Sequence, residues 1–398
     1  MSRKSKGANR KKFTFPDKKT MIALAAAAVL FVIIRMLLLP APSETAEPEE
    51  YATFDTGKVE QILMDSTQSD PIADGGSRGE QLLIVRVTSG QYKGQTLQVY
   101  NYVGPLYGDP VKTGDSVVMI ISTYKNGDHK ATVYEYDRLI PLAVILILFI
   151  AVTVAVGGRT GVKSLVSLCI TLATLFLILI PALLRGAPML PLTFICSAYI
   201  AVVCLILMGG VCTKTVCAGA GAVSGTAIAM LFGLFCQTIM RVSGLREEDA
   251  EALLQMRQTG ESSVGLKGLL VGGIIISSLG AVLDVTMGIS SSLVEVHAAN
   301  PTLGFRDLFR SGLNIGKDMV GTMTNTLILA FLGSDFTFII YLYSLGLSFH
   351  QVVSSAFVAL ELIGGAASSV GVMLSIPITA WITARALSAG SDLSSVRN

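Results

Sequence analysis

The chain has 398 residues, 52% of them hydrophobic and only 15% charged, with a mean hydropathy of +0.63; soluble domains carry about a quarter charged residues. That balance identifies a membrane protein and excludes an ordinary soluble domain. The formal net charge of +2 says little as a total, because the placement of basic residues sets orientation, and beyond a basic N-terminal tail there is no footprint for nucleic acid.

A bilayer core of roughly 30 Å needs about 20 mostly apolar helical residues. About eight such runs follow one another: Met21 to Leu39, Leu139 to Val156, Ser164 to Leu184, Leu190 to Met208, Val216 to Met240, Val264 to Ile289, Met319 to Tyr343 and Ala366 to Ala384. The tail over residues 1–20 carries Arg3, Lys4, Lys6, Arg10, Lys11, Lys12, Lys18 and Lys19 against Asp17 alone. The positive-inside rule therefore sets it in the cytoplasm. Alternation then leaves Arg159, Lys163 and Lys214 inside, the acidic Arg241 to Glu261 loop outside, and the tail over residues 387–398 inside, so both termini are expected to be cytoplasmic. The first run (21–39) reads as an uncleaved anchor. Its apolar stretch exceeds a typical signal core, and no small-x-small cleavage site precedes the Glu44 to Glu50 stretch.

Residues 41–138 differ in composition, with 15 acidic against 8 basic residues, and are expected outside the cell. After a Pro/Glu-rich linker come alternating runs near Val59 to Met64, Leu82 to Val87, Thr96 to Tyr102, Ser116 to Thr123 and Ala131 to Tyr136, punctuated by Gly90, Gly94, Gly114 and an Asn126-Gly127 hairpin signal. Five short strands in about 80 residues suit a small all-β barrel of the OB type. Tyr92, Tyr100, Tyr102, Tyr107, Tyr134 and Tyr136 could form a stacking surface for sugar or peptide, or could serve only the strand preference of aromatic residues.

Residues 139–386 are expected to form a seven-helix membrane domain whose last three spans differ from the others. In the sixth span Gly273, Ser277, Gly280, Asp284, Gly288, Ser291 and Glu295 recur every three to four residues and share one helical face. The seventh repeats the pattern through Asn314, Asp318, Thr322 and Asn325. The eighth begins with an amphipathic piece, Phe349 to Ile363, containing Glu361, before Gly364-Gly365 and Ser368 lead into the final run; Glu361, Gly364 or Gly365, Ser368 and Gly371 share a face, and such glycine pairs can break a helix and let backbone line a cavity. Between the sixth and seventh spans, Ser292 to Lys317 reads as an interfacial helix, with His297 a surface residue. An ionisable group deep in a span costs a few kcal/mol, so Asp284 and Asp318 are the candidates for binding a proton or cation, with Thr322, Asn325 and Glu361 assisting. Ser277, Ser291, Glu295, Asn314 and Ser368 complete a polar seam. The blander reading is that such groups simply hold helices together.

The motif Ser278-Leu-Gly-Ala-Val-Leu-Asp-Val-Thr-Met-Gly-Ile-Ser-Ser-Ser292, followed by Asn314-Ile-Gly-Lys-Asp-Met-Val-Gly-Thr-Met-Thr-Asn-Thr-Leu-Ile-Leu-Ala330, resembles the signature of the YibE/F-like family of bacterial multipass membrane proteins. The resemblance covers roughly Leu139 to Ala384. It implies a polytopic membrane protein of permease type, and it carries no established catalytic residues or substrate. A weaker likeness, to proton-coupled resistance-nodulation-division and SecD/SecF transporters, concerns mechanism alone.

The leading expectation is a permease or translocation component, coupled to a proton or cation, acting on an unidentified substrate. The rival is a non-transporting scaffold whose outer β-domain binds a cell-envelope partner. An intramembrane hydrolase is the weakest reading, since Asp284 and Asp318 lack the Gly-x-Gly-Asp setting of aspartyl membrane proteases, and Ser224, His297 and His350 form no recognised nucleophile-base arrangement. No HExxH, P-loop or CxxC motif points to a metal or nucleotide, no cofactor is implied, and the six cysteines do not read as a disulfide framework.

Overall fold

Strict apolar-polar alternation makes strands whose inner residues meet in one core. The structure, a computed structural model, describes residues 51–70, 76–105, 107–123, 129–242, 247–258, 265 and 268–395. The expected anchor at 21–39, the basic tail, the linker before residue 51 and the Asn126-Gly127 turn lie outside the described residues. By its contacts the chain divides into two units. One, within Pro42–Ala155, holds the strands and the start of the first long helix; the other holds the remaining helices from Val156 on.

In the first unit the strands are β1 (Tyr51–Asp65), β2 (Ser77–Val87), β3 (Thr96–Val103), β4 (Ser116–Thr123) and β5 (His129–Tyr136). The first half of β1 pairs antiparallel with β4 and its second half with β2. Antiparallel β2–β3 and β4–β5 pairs and a parallel β3–β5 contact complete the ring β1-β2-β3-β5-β4. All five expected strands are present, closed into a barrel. Register shifts at Val59/Gln61 and Ile62/Met64 bend β1 as it changes partner. Gly57 sits at that change, and a side chain there would run into Val85 and would stand 2.7 Å from the Met119 methyl.

The barrel core is Val59, Leu83, Val85, Val87, Val99, Val117, Met119 and Ile121, each at most 1% exposed. Burying each such side chain contributes roughly 1.5–3 kcal/mol. Tyr92 belongs to this core, its hydroxyl 3.2 Å from His129 Nδ1, so it leaves the expected tyrosine surface. Tyr100, Tyr102, Tyr107, Tyr134 and Tyr136 stay exposed.

The helices are α1 (Leu139–Leu184), α2 (Met189–Gly209), α3 (Thr213–Met240), α4 (Glu247–Gln258), α5 (Leu269–Ala299), α6 (Phe305–Ser334), α7 (Phe336–Ser344), α8 (Phe349–Val353) and α9 (Ala356–Ser395). Among the described residues five are long and apolar enough to cross a membrane, or six if α6 and α7, bent by 64°, count as one; the sequence reading placed seven spans there. The difference lies in α1. Its 46 residues would reach about 69 Å at 1.5 Å per residue, over twice a hydrocarbon core. The two expected spans are its two arms, interrupted at Gly158, whose φ of 54° and ψ of −127° are not helical and are open to glycine at little cost.

The helical core joins α2, α3, α5 and α9 through Ile200, Leu205, Ala218, Ala222, Val282, Val285, Ile289 and Ile376. Small residues set the closest crossings. A Cβ on Gly225 would stand 2.7 Å from Ser375 Cβ, one on Gly371 2.6 Å from Ala229 Cβ, and one on Gly221 would overlap Thr379. The α6–α9 crossing repeats this, with Gly312 against Ala380 and Gly316 against Ile376.

Two local readings are corrected. Ser292 to Lys317 is not a separate interfacial helix: α5 runs on to Ala299, residues 300–304 turn, and Phe305 opens α6. Gly364-Gly365 does not break its helix either, because α9 passes through both. Their missing side chains instead admit the Phe331 ring, 3.2 Å from where a Gly364 Cβ would lie.

Candidate functional site

Helix α5 buries Val271, Ile274, Ile275, Ser278, Leu279, Val282, Val285, Thr286, Ile289 and Leu293. These positions wrap around most of the helix. The face they leave uncovered is the one carrying Gly273, Ser277, Gly280, Asp284 and Glu295, all exposed, with Gly288 and Ser291 half-buried. Among the described residues, the polar stripe of α5 is thus the side that the other helices cover least.

Helix α6 flanks that stripe at two levels. A Cβ on Gly288 would lie 2.9 Å from Met319 Cε, and Phe331 joins Gly273 and Ser277 in the wall of a cavity of about 240 Å³. Between these levels the stripe opens, since a Cβ on Gly280 of α5 or Gly321 of α6 would meet none of the described residues within 4 Å. Helix α6 presents Asn314, Asp318, Thr322 and Asn325 as exposed residues, and its buried positions are Leu308, Gly312 and Gly316.

The cavity brings Ser277 and the half-buried Glu361 into one lining, with Leu360 and Gly364 of α9 beside them. Behind it, Ser277 Oγ donates to the Ile274 carbonyl at 3.2 Å and lies 3.3 Å from Ser368 Oγ. Either hydroxyl can donate in that pair. Asp284 and Asp318 form no hydrogen bond or ion pair among the described residues. Thr322 returns its hydroxyl to the Met319 carbonyl at 3.1 Å. Among the described residues no group of three or more His, Cys, Asp or Glu is placed to hold a metal ion.

The structure adds polar residues that the sequence reading did not follow. The α9 stripe continues past Gly371 through Ser375, Thr379 and Thr383 at intervals of four, all fully buried. Thr383 Oγ1 lies 3.4 Å from Ser290 Oγ, which donates to the Lys214 carbonyl at 2.7 Å. The four-residue spacing was available in the sequence; attention to ionisable groups passed it over.

The model of the family described as YibE/F-like protein matches residues 145–389, more than half of the chain. The chain belongs to the YibE/F-like family. The matched range takes in α5, α6 and α9, and therefore the cavity and both stripes. No curated protein and no solved structure matches the chain. Membership together with several apolar helices marks a multipass membrane protein.

Proposed function

We propose that this YibE/F-like protein is a permease or translocation component of the bacterial cytoplasmic membrane, coupled to a proton or cation, with no enzymatic step. The observation that carries the reading is the polar face that α5 leaves largely exposed among the described residues, which runs from the Ser277/Glu361 cavity to Asp284 and continues toward Glu295. A carboxylate facing hydrocarbon is costly unless water, a proton or a protein partner attends it. Asp284 and Asp318 would take up the coupling ion, Thr322 and Asn325 would offer neutral oxygens, and Glu361 would gate the cavity. Protonation of such a group changes the cost of burying it and so biases a helix pair between two arrangements.

The proposed topology has both termini in the cytoplasm and the barrel outside. Proteoliposomes with a pH-sensitive dye sealed inside test the reading under imposed proton, sodium and potassium gradients. Gradient-dependent flux is expected from the native protein and its loss from Asp284→Asn at equal incorporation. Equal flux in both, or none in either, removes the coupling role.

A second reading is favoured by the barrel. Its five strands, in the order β1-β2-β3-β5-β4, are compatible with an OB-like barrel, and Tyr100, Tyr102, Tyr134 and Tyr136 project outward from adjoining strands. In that reading the protein is a scaffold whose barrel holds a cell-envelope partner. Deleting residues 50 to 136 would then abolish function, while asparagine substitutions in the seam would leave it intact.

A further inference from the structure

Strands β3 and β5 pair at only two positions, Val99 with Ala131 and Tyr100 with Thr132. Beyond them lies a cavity of about 310 Å³, lined by Asn101 from β3, Tyr136 from β5, Arg138 just after it, and Tyr107, Asp109 and Asp115 from the connection between β3 and β4. The splayed end of the parallel pair makes the opening, and a buried network holds its floor. Asn101 Nδ2 donates to Gln81 Oε1 at 2.9 Å, the same oxygen accepts from the Val111 amide, and Gln81 Nε2 donates to Asp65.

Asn101 is 3% exposed, and its side-chain Oδ1, to which no described residue donates, opens to the cavity that the residue lines. An acceptor at the floor of a cavity suits a donor from a ligand. The rest of the lining agrees on its charge. Glu135 is paired with Arg138, leaving Asp109 and Asp115 to make the cavity anionic, and tyrosine faces favour a cation. The open acceptors, an amide oxygen and carboxylates, reward a group that still carries N–H bonds, which a quaternary ammonium does not.

Position supplies the other half. Arg138 is followed at once by Leu139, the first residue of α1 and of a run with hydropathy 3.1. If α1 enters the bilayer there, the cavity lies at headgroup depth, with a guanidinium suited to phosphate at its membrane edge. We propose that the barrel cavity binds the headgroup of an aminophospholipid. The primary ammonium would sit between Asn101, Asp109 and Asp115, and the phosphodiester against the Arg138 N–H groups that Glu135 does not take. This inference rests on α1 being a membrane span and is independent of ion coupling through Asp284.

The test is native mass spectrometry of the full-length protein in detergent, titrated with short-chain phosphatidylethanolamine, phosphatidylcholine and phosphatidylglycerol of matched chains, and with phosphoethanolamine alone. Phosphatidylethanolamine is expected to bind at least about tenfold more tightly than the other two lipids and than the free headgroup, and Asp109→Asn with Asp115→Asn to remove that preference, as loss of charge-assisted hydrogen bonds implies. Because Asp115 also accepts from the Lys112 amide, Asp109→Asn alone serves as the variant with least effect on the fold, expected to weaken binding severalfold. Asp284→Asn should bind like the native protein. Equal binding of the three lipids, a preference for phosphatidylglycerol, or undiminished preference in both carboxylate variants overturns the proposal. Competition by phosphoethanolamine equal to that of the lipid overturns the membrane source and assigns a soluble zwitterion.

Discussion

The Ser277 and Ser368 hydroxyls lie 3.3 Å apart across the α5–α9 interface, one exposed toward the cavity and the other fully buried. This pair is where the candidate site meets the bundle core. Removing the bond by Ser368→Ala should cost only about 0.6 kcal/mol, as interhelical hydrogen bonds in membranes do. Ser368→Leu should cost about 1–3 kcal/mol by overpacking. Unfolding of the detergent-solubilised protein in a denaturant series separates the two.

The glycines divide into those that permit a crossing and those that face open space. Gly225→Val is expected to destabilise the bundle by about 1–3 kcal/mol, since its first carbon alone would press on Ser375 and the Gly371 carbonyl. Gly280→Ala should leave stability unchanged or raise it slightly, because nothing lies within 4 Å and alanine is the better helix former. Comparable losses in both variants would contradict these crossings.

Water access along α5 can be read residue by residue. In a background without the native cysteines, Ser277→Cys and Thr322→Cys should react with a membrane-impermeant maleimide, while Ser278→Cys, fully buried one position along, should not. Protection of Ser277→Cys and Thr322→Cys that matches Ser278→Cys would mean a dry stripe and would remove the pathway.

In the barrel, the side-chain hydrogen bonds from Thr67 and Gln81, with the Thr67 amide, hold the Asp65 carboxyl below its ordinary value of 3.8. A depressed pKa in the folded state stabilises the fold above the unfolded value, and that contribution is lost as pH falls below about 3.8 and through the lowered value. Hydrogen exchange of β1 and β2 amides should therefore accelerate in that acid window. Asp65→Asn should flatten this part of the profile, and an unchanged profile in the variant would remove Asp65 as its source.

The strands were legible because alternation marks the half-buried strand directly: Leu83, Val85 and Val87 point inward with Leu82, Ile84 and Arg86 between them. A barrel was legible too, from five short strands in about 80 residues, but the β1–β2 and β3–β5 pairings that close it were not, since they depend on bends and registers that no local pattern encodes. The helical face of α5 could be read from the spacing of Gly273, Ser277, Gly280 and Asp284, but which way it pointed could not. Periodicity groups residues on one side of a helix without saying whether core, partner or lipid lies beyond. That is why the α5 part of the expected polar seam emerges as the side of the helix most exposed among the described residues. The continuity of α9 through Gly364-Gly365 was hidden for a related reason, because the space those glycines create is filled by Phe331, 33 residues earlier in the chain.

Because β1 reaches round to pair with both β4 and β2, the free border of amides and carbonyls is confined to β3 and β5 beyond their two shared rungs. Strand addition by an incoming polypeptide is limited to that gap. Everywhere else the barrel can grip only through side chains, so its specificity there can be rewritten by point substitution without disturbing a rung of the ladder.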